Sequence, residues 1–176
     1  WLHAVKVDKN EIDPAYDYDT AVEMIESAAQ MDMVVAFGEK GFYVGFDVQE
    51  APGNSVWVNP DRASYLNSCI ELYMAAEGTT GLYEDDTFEI DMMPSGDMVF
   101  KKADGVEQGG GGKGWVEITA PYDTMPRLAA TTKGGEINTT ACNGYTLELF
   151  VPYNFLEKYG YDTEGLKAGT SELYLN

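Results

Sequence analysis

Histidine is almost missing from this chain: His3 is the single example. That scarcity removes Ser-His-Asp and Cys-His nucleophilic arrangements built anywhere but at the chain start, and it removes poly-histidine zinc or iron sites. Cysteine is nearly as scarce. Cys69 and Cys142 have no CxxC spacing that would make a thiolate metal site, and the pair is either one disulfide or two small buried thiols, the second being the preferred reading. Positive charge is also in short supply, with 11 basic residues against 30 acidic ones and a formal net charge of −19. Such a field repels phosphate backbones and anionic lipid surfaces, so nucleic acid is not an expected partner. Long apolar runs are missing too: no stretch reaches the roughly 18 to 20 residues that a membrane-crossing helix needs, and membrane insertion is not expected. The first residue is Trp1 and not Met, which reads as a piece cut from a longer multidomain precursor.

Alternation of apolar and polar residues is what the chain has in quantity. In "FYVGFDV" (42 to 48), Phe42, Val44, Phe46 and Val48 face one way and Tyr43, Gly45 and Asp47 the other. "CIELYM" (69 to 74), "TFEIDM" (87 to 92) and "GYTLELFV" (144 to 151) follow the same rule. One-sided strands of this kind suit antiparallel sheets packed through their inner faces. Turn signals separate them, including "APGN" at 51, "PSGD" at 94 and "NG" at 143. The spacing in "DTAVEMIESAAQM" predicts a short N-terminal helix over 19–31, capped by Asp19 or Thr20, and "PYNFLEKYG" predicts a helical turn at 152–160. The glycine run at 109–112 lacks the GK[ST] ending of a phosphate loop and reads as a hairpin connection. The expected architecture is all-β: a single domain over 1–176, a jelly-roll-like antiparallel β-sandwich with one short N-terminal helix.

Two clusters carry candidate chemistry. "SVWVNPDRASYLN" (55 to 67) gathers Trp57, Arg62, Tyr65 and Asn67 in a loop, where aromatic faces and planar polar groups form either a lid on the sandwich or a platform for a ligand. Glu71 and Glu89 interrupt otherwise apolar strands. "YEDD" places Glu84, Asp85 and Asp86 in one turn; consecutive carboxylates repel unless solvent or a hard cation screens them, so calcium is a candidate there, with Asp91 or Asp47 as neighbouring ligands. With 30 acids some carboxylate pair will meet the about 5 to 10 Å spacing of a glycosidase by chance, and no enzyme is expected.

Five segments, in order, resemble the family 9 carbohydrate-binding modules of the wider DOMON-like sandwich group: "VKVDKNEIDPAYD", "GFYVGFDV", "YLNSCIELYM", "GLYEDDTFEID" and "NGYTLELFVPYNFL". The likeness spans residues 5 to 157. It implies a non-catalytic module that binds polysaccharide or oligosaccharide, attached to a secreted or cell-surface bacterial protein, monomeric and carrying structural calcium. The family's first sugar-stacking tryptophan falls on Tyr65, and its sugar-contacting strand glutamate falls on Glu71. The arginine and asparagine of its next strand fall near Glu89 and Asp91, which reverses the charge of that wall. Its second tryptophan has no counterpart in order, leaving Trp57 or Trp115 as substitutes. The implied ligand set is therefore Tyr65, Trp57, Glu71, Asn67, Arg62 and Glu89. The other reading is a structural spacer or adhesin-like sandwich without sugar binding.

Overall fold

A computed structural model describes residues 2–3, 29–76, 87–108, 112–119 and 124–175. Its strands are β1 (Leu2–His3), β2 (Gln30–Phe37), β3 (Gly41–Gln49), β4 (Ile70–Ala76), β5 (Phe88–Met92), β6 (Met98–Gln108), β7 (Gly112–Glu117), β8 (Arg127–Lys133), β9 (Gly144–Pro152) and β10 (Leu173–Leu175). Two short helices, α1 (Tyr153–Lys158) and α2 (Thr163–Ala168), and a single 3-10 turn at Ser64–Leu66 complete the described elements.

The strands form two five-stranded antiparallel sheets, one ordered β1-β2-β3-β9-β8 and the other β10-β4-β5-β6-β7. Their inner faces supply one core. Phe42, Val44, Phe46 and Val48 of β3 join Leu147, Leu149 and Val151 of β9, while the second sheet supplies Leu72, Met74, Phe88, Ile90, Met92 and Phe100. Because side chains alternate faces along a strand, the apolar half of each sequence pattern is the half found in this core. The all-β sandwich expected from alternation is the observed fold.

The predicted helix over 19–31 needs correction at its end. Gln30 and Met31 open β2, pairing with Gln49 and Val48 across the sheet, so no helix reaches them. Residues 19–28 lie outside the described residues. His3 of β1 pairs with Asp32 of β2. The glycine run does connect a hairpin: Gln108 and Gly112 are register partners at its base.

The helical turn expected at 152–160 is α1, whose buried Phe155 packs on Phe88 and Phe100 with ring centroids 5.7 and 5.0 Å apart. Tyr159 and Tyr161 extend that aromatic cluster around Phe88. Helix α2 follows two residues after Tyr161. Asp162 Oδ1 accepts from Gly165 N at 2.9 Å to start it, and Gly169 at φ 70° ends it in the left-handed region that L residues avoid.

Candidate functional site

The outer face of the second sheet is where the interrupting acids lie. In β5 the core-facing residues are Phe88, Ile90 and Met92, so Glu89 and Asp91 point the other way. Yet the side chains of Glu89 and Asp91 are only 8% and 0% exposed. Register explains what holds them. Lys101 of β6 sits opposite Glu89, and its Nζ donates to Glu89 Oε1 at 2.5 Å and to Asp91 Oδ2 at 2.7 Å. From the far side the Ser64–Leu66 turn folds over β5, and Ser64 Oγ donates to Asp91 Oδ2. Asp91 Oδ1 has no hydrogen-bond partner among the described residues.

Electrostatics follow from that burial. Desolvation raises the Glu89 carboxyl above its ordinary 4.5, with hydrogen bonding from Lys101 pulling the other way and the Asp91 charge adding to the rise. For Lys101, burial works against the ammonium, but hydrogen bonds to Asp91 and Glu89 win and push its pKa up. Cys69, beside this wall, has its thiol pushed up to about 12 by burial, then by the charges of Asp91 and Glu71. It is a thiol, not a thiolate, at neutral pH. Both cysteines are free.

Aromatic rings meet above the charged network. Tyr73 of β4 and Trp115 of β7 have ring centroids 5.9 Å apart at 49°. Three strand spacings separate β4 from β7 in the sheet, about 14 Å at ordinary spacing, so the two side chains lean toward one another across β5 and β6. Ala103, the register partner of Trp115, leaves room for that lean. Glu71 lies exposed beside this pair, opposite Asp91 in register and 3.4 Å from the Tyr73 hydroxyl.

The predicted ligand set is brought together only in part. Glu71 and Glu89 share the outer face, one exposed and one buried. Tyr65, 61% exposed, is tied to that face through its neighbour Ser64 and thence Asp91. Trp57 and Arg62 form their own stack on the 55–67 loop, the guanidinium carbon 5.4 Å from the indole centroid. Asn67 is occupied with the loop itself: Oδ1 accepts from Asn59 N at 2.7 Å and Nδ2 donates to Ala63 O at 3.1 Å. Lys101 and Tyr73 were not singled out from sequence. A period-2 reading of β4 does put Tyr73 on the face of Glu71, so that signal was present; the pairing of Lys101 with acids 10 and 12 residues earlier was not readable without strand register.

Of the calcium positions, Glu84, Asp85 and Asp86 lie outside the described residues. The two named neighbours are engaged by ammonium groups, Asp91 by Lys101 and Asp47 by Lys133. Among the described residues no group of three His, Cys, Asp or Glu side chains is placed to hold a metal. Comparison with protein-family models, curated proteins and solved structures returned no match to this chain.

Proposed function

We propose that this chain is a non-catalytic glycan-binding module of a secreted or cell-surface bacterial protein, and that it engages sugar on the outer face of its second sheet. The observation that carries the reading is the grouping of the Tyr73 and Trp115 rings with the exposed Glu71 carboxylate on that face. A pyranose presents an apolar flat side and a rim of hydroxyls; aromatic rings cover the first and a carboxylate accepts from the second. Trp115 takes the part of the second aromatic wall, and Tyr65 is the exposed partner at the rim. Support for a non-enzymatic role comes from the buried acids: Glu89 and Asp91 share one lysine, and a carboxylate held that way braces the sheet instead of delivering protons to a substrate. The resemblance to family 9 modules supports the secreted setting, and a structural calcium at Glu84, Asp85 and Asp86 belongs to the same reading.

Affinity electrophoresis in calcium-containing buffer against soluble xylan, cellulose fragments, mixed-linkage glucan, pectin fragments and starch tests it. One class is expected to retard the protein, and Trp115→Ala is expected to abolish the retardation while Tyr65→Ala weakens it. No retardation by any class, from protein with a native circular dichroism spectrum, would sink the reading. The spacer or adhesin-like alternative would then stand; the commitment of Asn67 and Glu89 to internal bonds favours it.

A further inference from the structure

The opposite side of the sandwich holds a different constellation. On the outer face of the first sheet Tyr43, Phe150 and Arg127 are lateral neighbours: Phe150 is the register partner of Tyr43 on one side and of Arg127 on the other. The Tyr43 and Phe150 rings lie 4.8 Å apart at 35°, with Tyr43 51% exposed. Beside them opens a cavity of about 470 Å³ walled by Lys40, Arg127, Phe150, Tyr153 and Lys167, with Glu39 the one acid among the described residues that line it. Three of the eleven basic residues of a chain with net charge −19 therefore gather at one concavity.

A second observation comes from Tyr153, which is buried and whose hydroxyl has no hydrogen-bond partner among the described residues. Lys167 Nζ sits 4.9 Å from the centroid of that ring. Burial raises the phenol's pKa, with Lys167 opposing, so the group holds its proton at neutral pH and is available as a donor. A buried hydroxyl left unpaired is a cost that a bound oxygen acceptor would remove.

We propose that this cavity is a second ligand site, for a sugar bearing a single carboxylate, with the ring on Tyr43 and Phe150 and the carboxylate between Arg127, Lys40 and Lys167. The flat rings suit the apolar side of a pyranose, and the guanidinium fork matches a carboxylate in a way a hydroxymethyl group cannot use. Lys167 already pairs with Glu164 at 2.6 Å, but that pair is exposed and gives way at little cost. A single charge is specified because the whole-chain field works against polyanions, while a lone carboxylate placed among three cations is held at short range. The site does not rest on the sugar-binding reading of the other sheet.

Calorimetry with methyl β-glucuronide and methyl β-glucoside, which differ only in a carboxylate against a hydroxymethyl group, tests the proposal on the full chain. The glucuronide is expected to bind at least tenfold more tightly, its advantage shrinking as sodium chloride is raised. Arg127→Gln and Lys167→Gln alter exposed positions and are each expected to weaken the glucuronide several-fold while leaving retardation by neutral polysaccharide unchanged. Tyr153→Phe removes only the hydroxyl; affinity is expected to fall while the melting temperature holds or rises, which a purely structural tyrosine would not show. Equal binding of the two glycosides, no binding of either, or full glucuronide affinity in both charge variants would overturn the assignment. So would stronger binding of glucose 6-phosphate than of the glucuronide, since the site would then select phosphate.

Discussion

Lys101 Nζ serves two carboxylates while only 19% of its side chain meets solvent. Removing it strands two buried acids on one face of β5. Lys101→Met is therefore expected to cost about 3–5 kcal/mol near pH 7, the usual penalty for breaking a buried pair from one side. The loss should shrink in acid as the Glu89 carboxyl, raised by burial, takes up its proton, and urea melts at pH 7 and pH 4 would show it; an equal loss at both would mean that packing by the lysine stem, not charge, is what matters. Glu89 gives a complementary expectation. Its carboxyl is raised in the folded chain above 4.5, chiefly by burial, so between 4.5 and the folded value the native state holds a proton that the unfolded state has released. The stability tied to this group is complete below 4.5 and is lost as pH rises through the folded value. Glu89→Gln lacks the titration, so relative to wild type it should look worse at pH 4 than at pH 7. A gap between the two proteins that stays constant over that range would contradict the assignment. The outward direction of Glu71 was legible from alternation alone. The burial of Glu89 and Asp91 was not, because nothing in a period-2 pattern says that a lysine on the next strand and, at Asp91, a serine turn will engage those two outward positions and leave Glu71 bare.

At the scale of elements, β3 and β9 form the spine of the first sheet, pairing without a break from Gly41↔Pro152 to Gln49↔Gly144. Gly41 permits that length. A Cβ there would collide with the Val151 carbonyl oxygen and lie 2.7 Å from the Phe150 ring and 2.9 Å from Pro152 Cα, so backbone would have to move. Gly41→Ala is expected to destabilise by about 3 kcal/mol, at the upper end of ordinary overpacking. For a chain of this size that is roughly 6–12 °C in melting temperature, read by calorimetry. A loss under one degree would show that the strand end frays and absorbs the methyl. The same strands were the most legible part of the sequence, since β3, β4, β5 and β9 each set apolar residues on one face against mostly polar ones on the other and so write their period plainly. β2 was harder: its residues are half-buried rather than divided into inside and outside, and "SAAQM" continues a helical spacing into what is strand. Helix α2 went unnoticed because six residues hold too few turns for a period to show; the Asp162 cap and Gly169 stop were its only marks.

Across the whole molecule, charge sets the terms. Thirty acids and eleven bases leave −19, and the ion pairs at Lys101, Lys133 and Lys167 engage only a few of those acids. Self-repulsion of the remainder is stronger in the compact state than in the extended chain, so it opposes folding. Salt screens it: the Debye length falls from about 30 Å at 0.01 M to about 8 Å at 0.15 M. Screening also weakens the exposed pairs Lys133–Asp47 and Lys167–Glu164, but such pairs contribute about 0–1 kcal/mol each and are outnumbered by the acids in excess of bases. The Lys101 network is shielded from salt by its burial. The melting temperature is therefore expected to rise by several degrees between 0.01 and 0.15 M sodium chloride, with a chelator present so that divalent binding plays no part. A flat or falling curve would mean that the surface pairs outweigh the net repulsion. The same screening should weaken glucuronide binding at the Lys40–Arg127–Lys167 cavity, so stability and that affinity are expected to move in opposite directions as salt is raised, which separates the field of the whole chain from the local field of three cations.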